Sequence, residues 1–216
     1  MRLISLNASQ PRLIHWRGET FSTGIFKQPV TGPVRLRKLN FDGDRQADLS
    51  VHGGPLKAVY AYSAEHYPWW RRELDLAAVA LPWGMFGENL TTEDMTEEVV
   101  HIGDQFRIGT ATLMAVQPRV PCYKLAARFD RDDMIDRFMA SGRSGIYFSV
   151  VEEGMVTAGN VLERIAALPH SVTVAEVNQL MSGDRMNADL LRRAAQIKEL
   201  PEGYRQRFAS RLAQLA

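Results

Sequence analysis

Short runs rich in valine, isoleucine and leucine, broken at close intervals by turn residues, fill the first three quarters of this 216-residue chain and commit it to a strand-built fold. The predicted strands are residues 2–7, 34–39, 57–62, 99–102, 105–108, 111–116, 146–151 and 160–166. Thr31-Gly32-Pro33, Asp42-Gly43-Asp44, His52-Gly53-Gly54-Pro55 and Gly103-Asp104 supply turn chemistry between them. Gly109-Thr110, between two strand-like runs, predicts a hairpin. Many short strands with such turns predict a sandwich or barrel.

Two helices interrupt this region. One is predicted to start at Ala64 behind a Ser63 cap and to run through Trp69-Trp70-Arg71-Arg72, with Pro68 limiting its regularity. The other spans residues 131–140, with Met134, Ile135, Phe138 and Met139 at helical spacing and Ser141-Gly142 as its stop. After Pro169 the texture becomes helical. Thr173-Val174-Ala175-Glu176 fits a capping box, Asn187 caps a second helix bearing Leu190, Leu191, Ala194 and Ile197, and Pro201 precedes a third marked by Phe208, Leu212 and Leu215. The division expected is residues 1–168 and 169–216. A helical unit of roughly 45 residues is too small to hold itself together and needs a surface to pack on, either the strands or a second subunit.

Bulk composition narrows the function classes. A formal net charge of +1 gives no global field for nucleic acid or an anionic membrane, so any anion site is a local cluster of cations and backbone N–H groups. One cysteine excludes an internal disulfide, a Cys₄ zinc site and an all-protein iron–sulfur cluster, and suits a reducing compartment. No apolar run approaches the roughly 18 residues of a membrane span, and the N-terminus does not resemble a signal peptide, so a cytoplasmic protein is expected.

Three segments carry chemistry. In Gln117-Pro118-Arg119-Val120-Pro121-Cys122-Tyr123-Lys124-Leu125, two prolines stiffen what is predicted to be a loop, and Arg119 and Lys124 bracket the thiol. Neighbouring cations favour a thiolate, the form that attacks electrophiles and binds metals; the plain alternative is a small buried hydrophobe. In Asp48-Leu49-Ser50-Val51-His52-Gly53-Gly54-Pro55-Leu56-Lys57, paired glycines allow close backbone approach to an anion, and Lys57 adds a charge. The segment is neither a dinucleotide fingerprint nor a P-loop, and the plain alternatives are a tight turn and a structural His52. In Trp83-Gly84-Met85-Phe86-Gly87-Glu88-Asn89, the glycines deliver a carboxylate and an amide side by side, a pair that can read a polar heterocycle or simply close a loop. Tyr67, Trp69 and Trp70 beside Arg71 and Arg72 read as an amphipathic helix packing its rings rather than a nucleic-acid platform.

The order of Thr23-Gly24-Ile25-Phe26-Lys27-Gln28-Pro29-Val30, Gly43-Asp44-Arg45-Gln46-Ala47-Asp48, His52-Gly53-Gly54, Lys57-Ala58-Val59-Tyr60-Ala61-Tyr62, Gly87-Glu88-Asn89-Leu90 and Arg119-Val120-Pro121-Cys122-Tyr123-Lys124-Leu125 resembles the MOSC domain, named for the C-terminal part of molybdenum-cofactor sulfurases. The resemblance is closest to the bacterial YiiM-like branch, covers nearly the whole chain and includes a three-helix tail; Leu56, where relatives often carry a polar residue, is a minor departure. It implies a fold mainly β with α, a MOSC-type β-barrel plus a small C-terminal three-helix domain. It implies a molybdenum cofactor (molybdopterin–Mo) with Cys122 as the protein ligand to the metal, and reduction of small N-hydroxylated compounds, such as hydroxylaminopurine bases, to amines.

Under that implication, His52, Gly53, Gly54, Lys57, Glu88, Asn89, Arg119 and Lys124 are the expected cofactor-binding residues. Cys122, Glu88 and Asp48 are the expected catalytic residues, with Asp48, Glu88 and His52 unranked as proton donors. With one committed cysteine and no dinucleotide fingerprint, electrons are expected from a separate flavin or iron–sulfur protein. A homodimer is compatible with the helical tail; no nucleic-acid or membrane partner is expected. Two other readings stand beside the reductase: a sulfur or cofactor carrier using a persulfide on Cys122, and a scaffold in which Cys122 is buried and inert.

Overall fold

The computed structural model describes residues 1–48, 52–76 and 81–215. Its strands are β1 (Arg2–Ala8), β2 (Arg12–Trp16), β3 (Glu19–Thr23), β4 (Gln28–Pro29), β5 (Val34–Leu36), β6 (Val59–Ser63), β7 (Leu90–Glu93), β8 (Gln105–Ile108), β9 (Ala111–Pro118), β10 (Ile146–Glu152), β11 (Gly154–Val156) and β12 (Leu162–Ala166). The helices are α1 (His66–Glu73), α2 (Tyr123–Phe129), α3 (Met134–Ser141), α4 (Val174–Ser182), α5 (Ala188–Ala195) and α6 (Glu202–Ala213), with a 3₁₀ turn at Pro55–Lys57.

The result is a mixed α/β fold on one large sheet of order β12-β8-β9-β10-β6-β7-β1-β4, all antiparallel except the β6–β7 pair. The closed barrel implied by the resemblance is not found as a continuous ladder among the described residues. One bridge, Arg2 to Val161, and three backbone bonds (Leu162 N–H to Met1 O at 3.0 Å, Leu3 N–H to Asn160 O at 2.9 Å, Gly159 N–H to Leu3 O at 2.7 Å) join β1 to the start of β12. Their reach is short because residues 157–160 turn before the strand begins at Leu162, which also shortens the predicted 160–166 strand.

Local chemistry explains most elements. Ile108 pairs with Ala111 across the Gly109-Thr110 turn, as predicted. Only glycine suits position 109: its φ is +57°, and a Cβ there would sit 2.1 Å from Met155 O. Asp130 and Gly142 end α2 and α3 in left-handed conformations, and Met134 and Phe138 bury the predicted face of α3. The predicted strand 57–62 starts instead at Val59, because Pro55 opens the 3₁₀ turn that ends at Lys57. Ser63 belongs to β6, its hydroxyl bonds Glu65, and α1 starts at His66 with no side-chain cap.

The predicted strand 99–102 is replaced by turns. Val100 and Ile102 are fully buried there, and their backbones pair with the segment leading into α4: Ile102 N–H to Val172 O at 2.9 Å and Val174 N–H to Val100 O at 2.9 Å. The helical tail is therefore stitched to the sheet. Thr173 forms the expected capping box with Glu176, and the Asn187 side chain accepts from Leu190 N–H. Val174, Val177, Leu180, Leu191, Ala194, Leu200 and Phe208 lie in the same apolar cluster as Leu6, Phe106, Leu113 and Phe148. Each such Val, Leu or Phe side chain stabilises by about 1.5–3 kcal/mol on burial, so the tail depends on the sheet it covers.

A second cluster is aromatic. Tyr60, Tyr62, Tyr67, Trp70, Phe86 and Phe138 pack together, with Trp70 Nε1–H donating to the Tyr62 hydroxyl at 2.6 Å. Tyr67 and Trp70 thus point inward, as an amphipathic helix requires. This cluster forms the floor on which the site described next is built.

Candidate functional site

Above the aromatic cluster, the loops after β3, before the 3₁₀ turn and after β9 converge on one cleft, with about 590 Å³ of atom-free space including its open side. Cys122, half-buried, lines it together with His52, Lys57, Asn89, Arg119 and Lys124. Six of the eight expected site residues outside the Gly53-Gly54 pair therefore come together; Lys27, Arg45, Tyr60 and Tyr147, to which no role was assigned from sequence, join them.

The loop expected within residues 117–125 runs from Arg119 to Cys122, between β9 and α2. Cys122 is extended, with φ −135° and ψ 171°, and α2 begins at the next residue. Pro118 and Pro121 stop β9 and set the reversal that turns the thiol into the cleft. His52 Nε2 sits 3.3 Å from Cys122 Sγ. The His52 pKa lies below its ordinary value, first because of burial and then because of Lys124, with Lys57 and Arg119 adding to the effect. Both effects favour the neutral ring. Its Nδ1 is buried without a hydrogen-bond partner among the described residues.

Arg119 is buried, donates to Phe86 O and lies 4.8 Å over the Tyr60 ring. Burial opposes its charge, but Tyr60, Tyr147 and Cys122 outweigh it and hold its pKa above the ordinary guanidinium value. Lys27, also buried, pairs with Asp44. Asp44 is held in turn by Asn89 Nδ2–H at 2.9 Å and Ser9 N–H at 2.9 Å. Among the described residues, no Asp or Glu lines the cleft, so its charged rim consists of Lys27, Arg45, Lys57, Arg119 and Lys124.

Four expected residues fall elsewhere. Glu88 is fully buried under the loop it belongs to. Its carboxylate accepts from Gly84 N–H at 2.7 Å, Phe86 N–H at 3.1 Å, Thr91 Oγ1–H at 2.9 Å and the Tyr67 hydroxyl. That geometry makes it the brace of loop 84–91 and does not present it to the cleft. Asn89 lines the cleft, but its amide already bonds Asp44, Asn7 O and Tyr60 N–H, so it positions the strand ends. Asp48 stands behind His52, its carbonyl accepting from His52 N–H at 3.0 Å, and does not line the cleft; Leu49, Ser50 and Val51 of that segment lie outside the described residues. Gly53 and Gly54 line a neighbouring groove instead, across the turn from the cleft. The signal for the missed Lys27 and Arg45 was present: both are cations inside the motif order, yet neither lies near the cysteine in sequence.

The chain matches the model of the MOSC domain over residues 48–163 and that of the YiiM-like 3-alpha helix domain over residues 172–215. It is 40% identical to YflK of Bacillus subtilis over 206 residues, covering 95% of this chain and 92% of that protein. A protein of Gibberella moniliformis named "Reductase" is 32% identical over 181 residues, 83% of this chain but 32% of that longer protein. The crystal structure of YiiM from Geobacillus stearothermophilus superposes with a TM-score of 0.80 at 30% identity, covering 98% of both chains.

Proposed function

Because this chain belongs to the MOSC family and ends in the three-helix domain of its YiiM-like branch, we propose that it is a molybdenum-cofactor-dependent reductase converting N-hydroxylated compounds to amines. One observation carries the reading: a lone sulfur, with an imidazole 3.3 Å away, faces a cleft whose charged lining is entirely cationic among the described residues. A soft thiolate suits molybdenum, and a cationic rim suits an anionic pterin phosphate, so the donor set fits the group. The name of the fungal relative points the same way.

Cys122 would hold the metal, and Lys57, Arg119, Lys124 and Arg45 would hold the phosphate. When bound, the cofactor supplies the two-electron redox chemistry that a thiol and an imidazole lack. The chain's own contribution is orientation. Arg119 is fixed by Phe86 O and the Tyr60 ring, so its charge is already in place before anything binds. In its Nε2–H tautomer His52 would donate to the sulfur, 3.3 Å away, and fix its direction. Glu88 holds the loop that carries Asn89 against Asp44 and thereby keeps Lys27 at the rim.

Converting R–NHOH to R–NH₂ consumes two electrons and two protons and releases water. The electrons come from a separate flavin or iron–sulfur protein in this reading, since the chain has one cysteine and no dinucleotide fingerprint. The test is turnover of 6-hydroxylaminopurine to adenine by cofactor-loaded protein supplied with reduced methyl viologen. C122S should lose this activity and keep its fold. Activity retained in C122S would refute the assignment, and sulfane sulfur on Cys122 without bound pterin would favour the carrier reading.

A further inference from the structure

The Gly53-Gly54 pair and Lys57 border a second depression on the far side of the 3₁₀ turn, with about 1070 Å³ of atom-free space including its open side. Lys57 lines both spaces, and Val120, two residues before Cys122, lines the second. The groove and the cleft therefore share Lys57 as a wall and lie on either side of one turn and one loop. Its opposite wall is the tail: Met181 of α4, and Tyr204 and Arg207 of α6.

Two features mark it as a ligand surface. Leu56 and Val120 face it, 39% and 52% exposed, and give it an apolar strip opposite Tyr204 and Arg207. No Asp or Glu lines it, and Arg207 has no ion pair among the described residues; its Nη1 rests 3.7 Å from Met181 Sδ. The Leu56 carbonyl is pinned by Gln117 Nε2–H at 2.8 Å, so the apolar wall is held rigidly beside the cleft.

We propose that this groove takes the non-reacting body of the substrate, an aromatic N-hydroxylated compound bearing an anionic group, with its ring against Leu56, Val120 and Tyr204 and its anion at Arg207. The proposal rests on the reductase reading. It makes the helical tail a wall of the substrate site and assigns Leu56 and Arg207 to specificity.

Benzamidoxime and 4-carboxybenzamidoxime test it, with reduced methyl viologen as the reductant. Each turnover breaks the N–O bond, takes one electron from each of two viologen radicals and two protons from water, and yields the amidine and water. The wild-type protein should prefer the carboxylated probe through a lower KM. Arg207→Glu and Leu56→Glu, one from each wall, should each reduce that preference about five- to tenfold. Arg192→Glu, on α5 and outside the groove, should keep it. Calorimetric binding of 4-carboxybenzamidoxime should weaken in the same two variants. A preference unchanged in both would overturn the proposal, as would loss of molybdenum or pterin from either, which would give the groove to the cofactor. If the wild type turns over neither probe while binding still weakens in both variants, the groove stands and the reductase reading falls.

Discussion

His52 Nε2 and Cys122 Sγ, 70 residues apart in sequence, meet at 3.3 Å in the cleft. The contact gives the histidine a role that turn chemistry alone could not assign. Its replacement should therefore be read at the sulfur. His52→Ala should change the pH profile of Cys122 alkylation by iodoacetamide in cofactor-free protein; identical profiles would show that the ring does not act on the thiol.

The same histidine sets a pH dependence of stability. Its pKa is lower in the folded chain than the ordinary 6.5, chiefly through burial, so the unfolded chain binds more protons below that value. Its contribution is therefore fully present above pH 6.5 and is lost as pH falls toward the folded pKa. Urea midpoints measured from pH 7.5 down to about 5 should fall less steeply in His52→Gln than in the wild type.

Glu88→Ala should act on stability. It removes the acceptor for two buried backbone N–H groups, the Tyr67 hydroxyl and Thr91 Oγ1, at a cost of about 3–5 kcal/mol by chemical denaturation. A Glu88→Ala protein of wild-type stability that had lost only turnover would restore the catalytic role first expected for this carboxylate.

Lys27→Met should cost about 3–5 kcal/mol, because it leaves Asp44 buried with a charge and no cation. Asp44→Asn should cost less. Burial already pushes the Lys27 pKa down, so the amine can release its proton when its partner is neutral. Equal losses in the two variants would contradict this asymmetry.

Deleting residues 169–216 should yield aggregated protein. The tail fills one apolar cluster with the sheet and pairs its backbone with Val100 and Ile102. A soluble, cooperatively unfolding fragment 1–168 would show instead that the two parts are independent domains.

Legibility followed the range of each signal. The strand Gln105–Ile108, the capping box at Thr173 and the stop at Gly142 were readable because a few adjacent residues determine them. The β2–β3 hairpin escaped because Arg17-Gly18 is not a familiar turn pair, although both residues adopt positive φ (50° and 84°) as a tight hairpin turn demands. The segment 99–102 looked like a strand because it is apolar; its partner lies some 70 residues away, and no local pattern announces such a pairing. The site divided in the same way. Cys122 with Arg119 and Lys124 was visible as a cluster in sequence, whereas Lys27 and Arg45 reach the rim only through the fold. Glu88 looks available in sequence because a carboxylate lies beside two glycines, whereas its four donors come together only in the fold.

The most direct test is the molybdenum and pterin content of the protein purified from cells that make the cofactor, compared between wild type and C122S. Stoichiometric molybdenum and pterin in the wild type, with molybdenum lost from C122S while its thermal unfolding is unchanged, is the predicted result. Wild-type protein free of both, or C122S that keeps its molybdenum in full, would contradict the assignment of Cys122 as the metal's ligand.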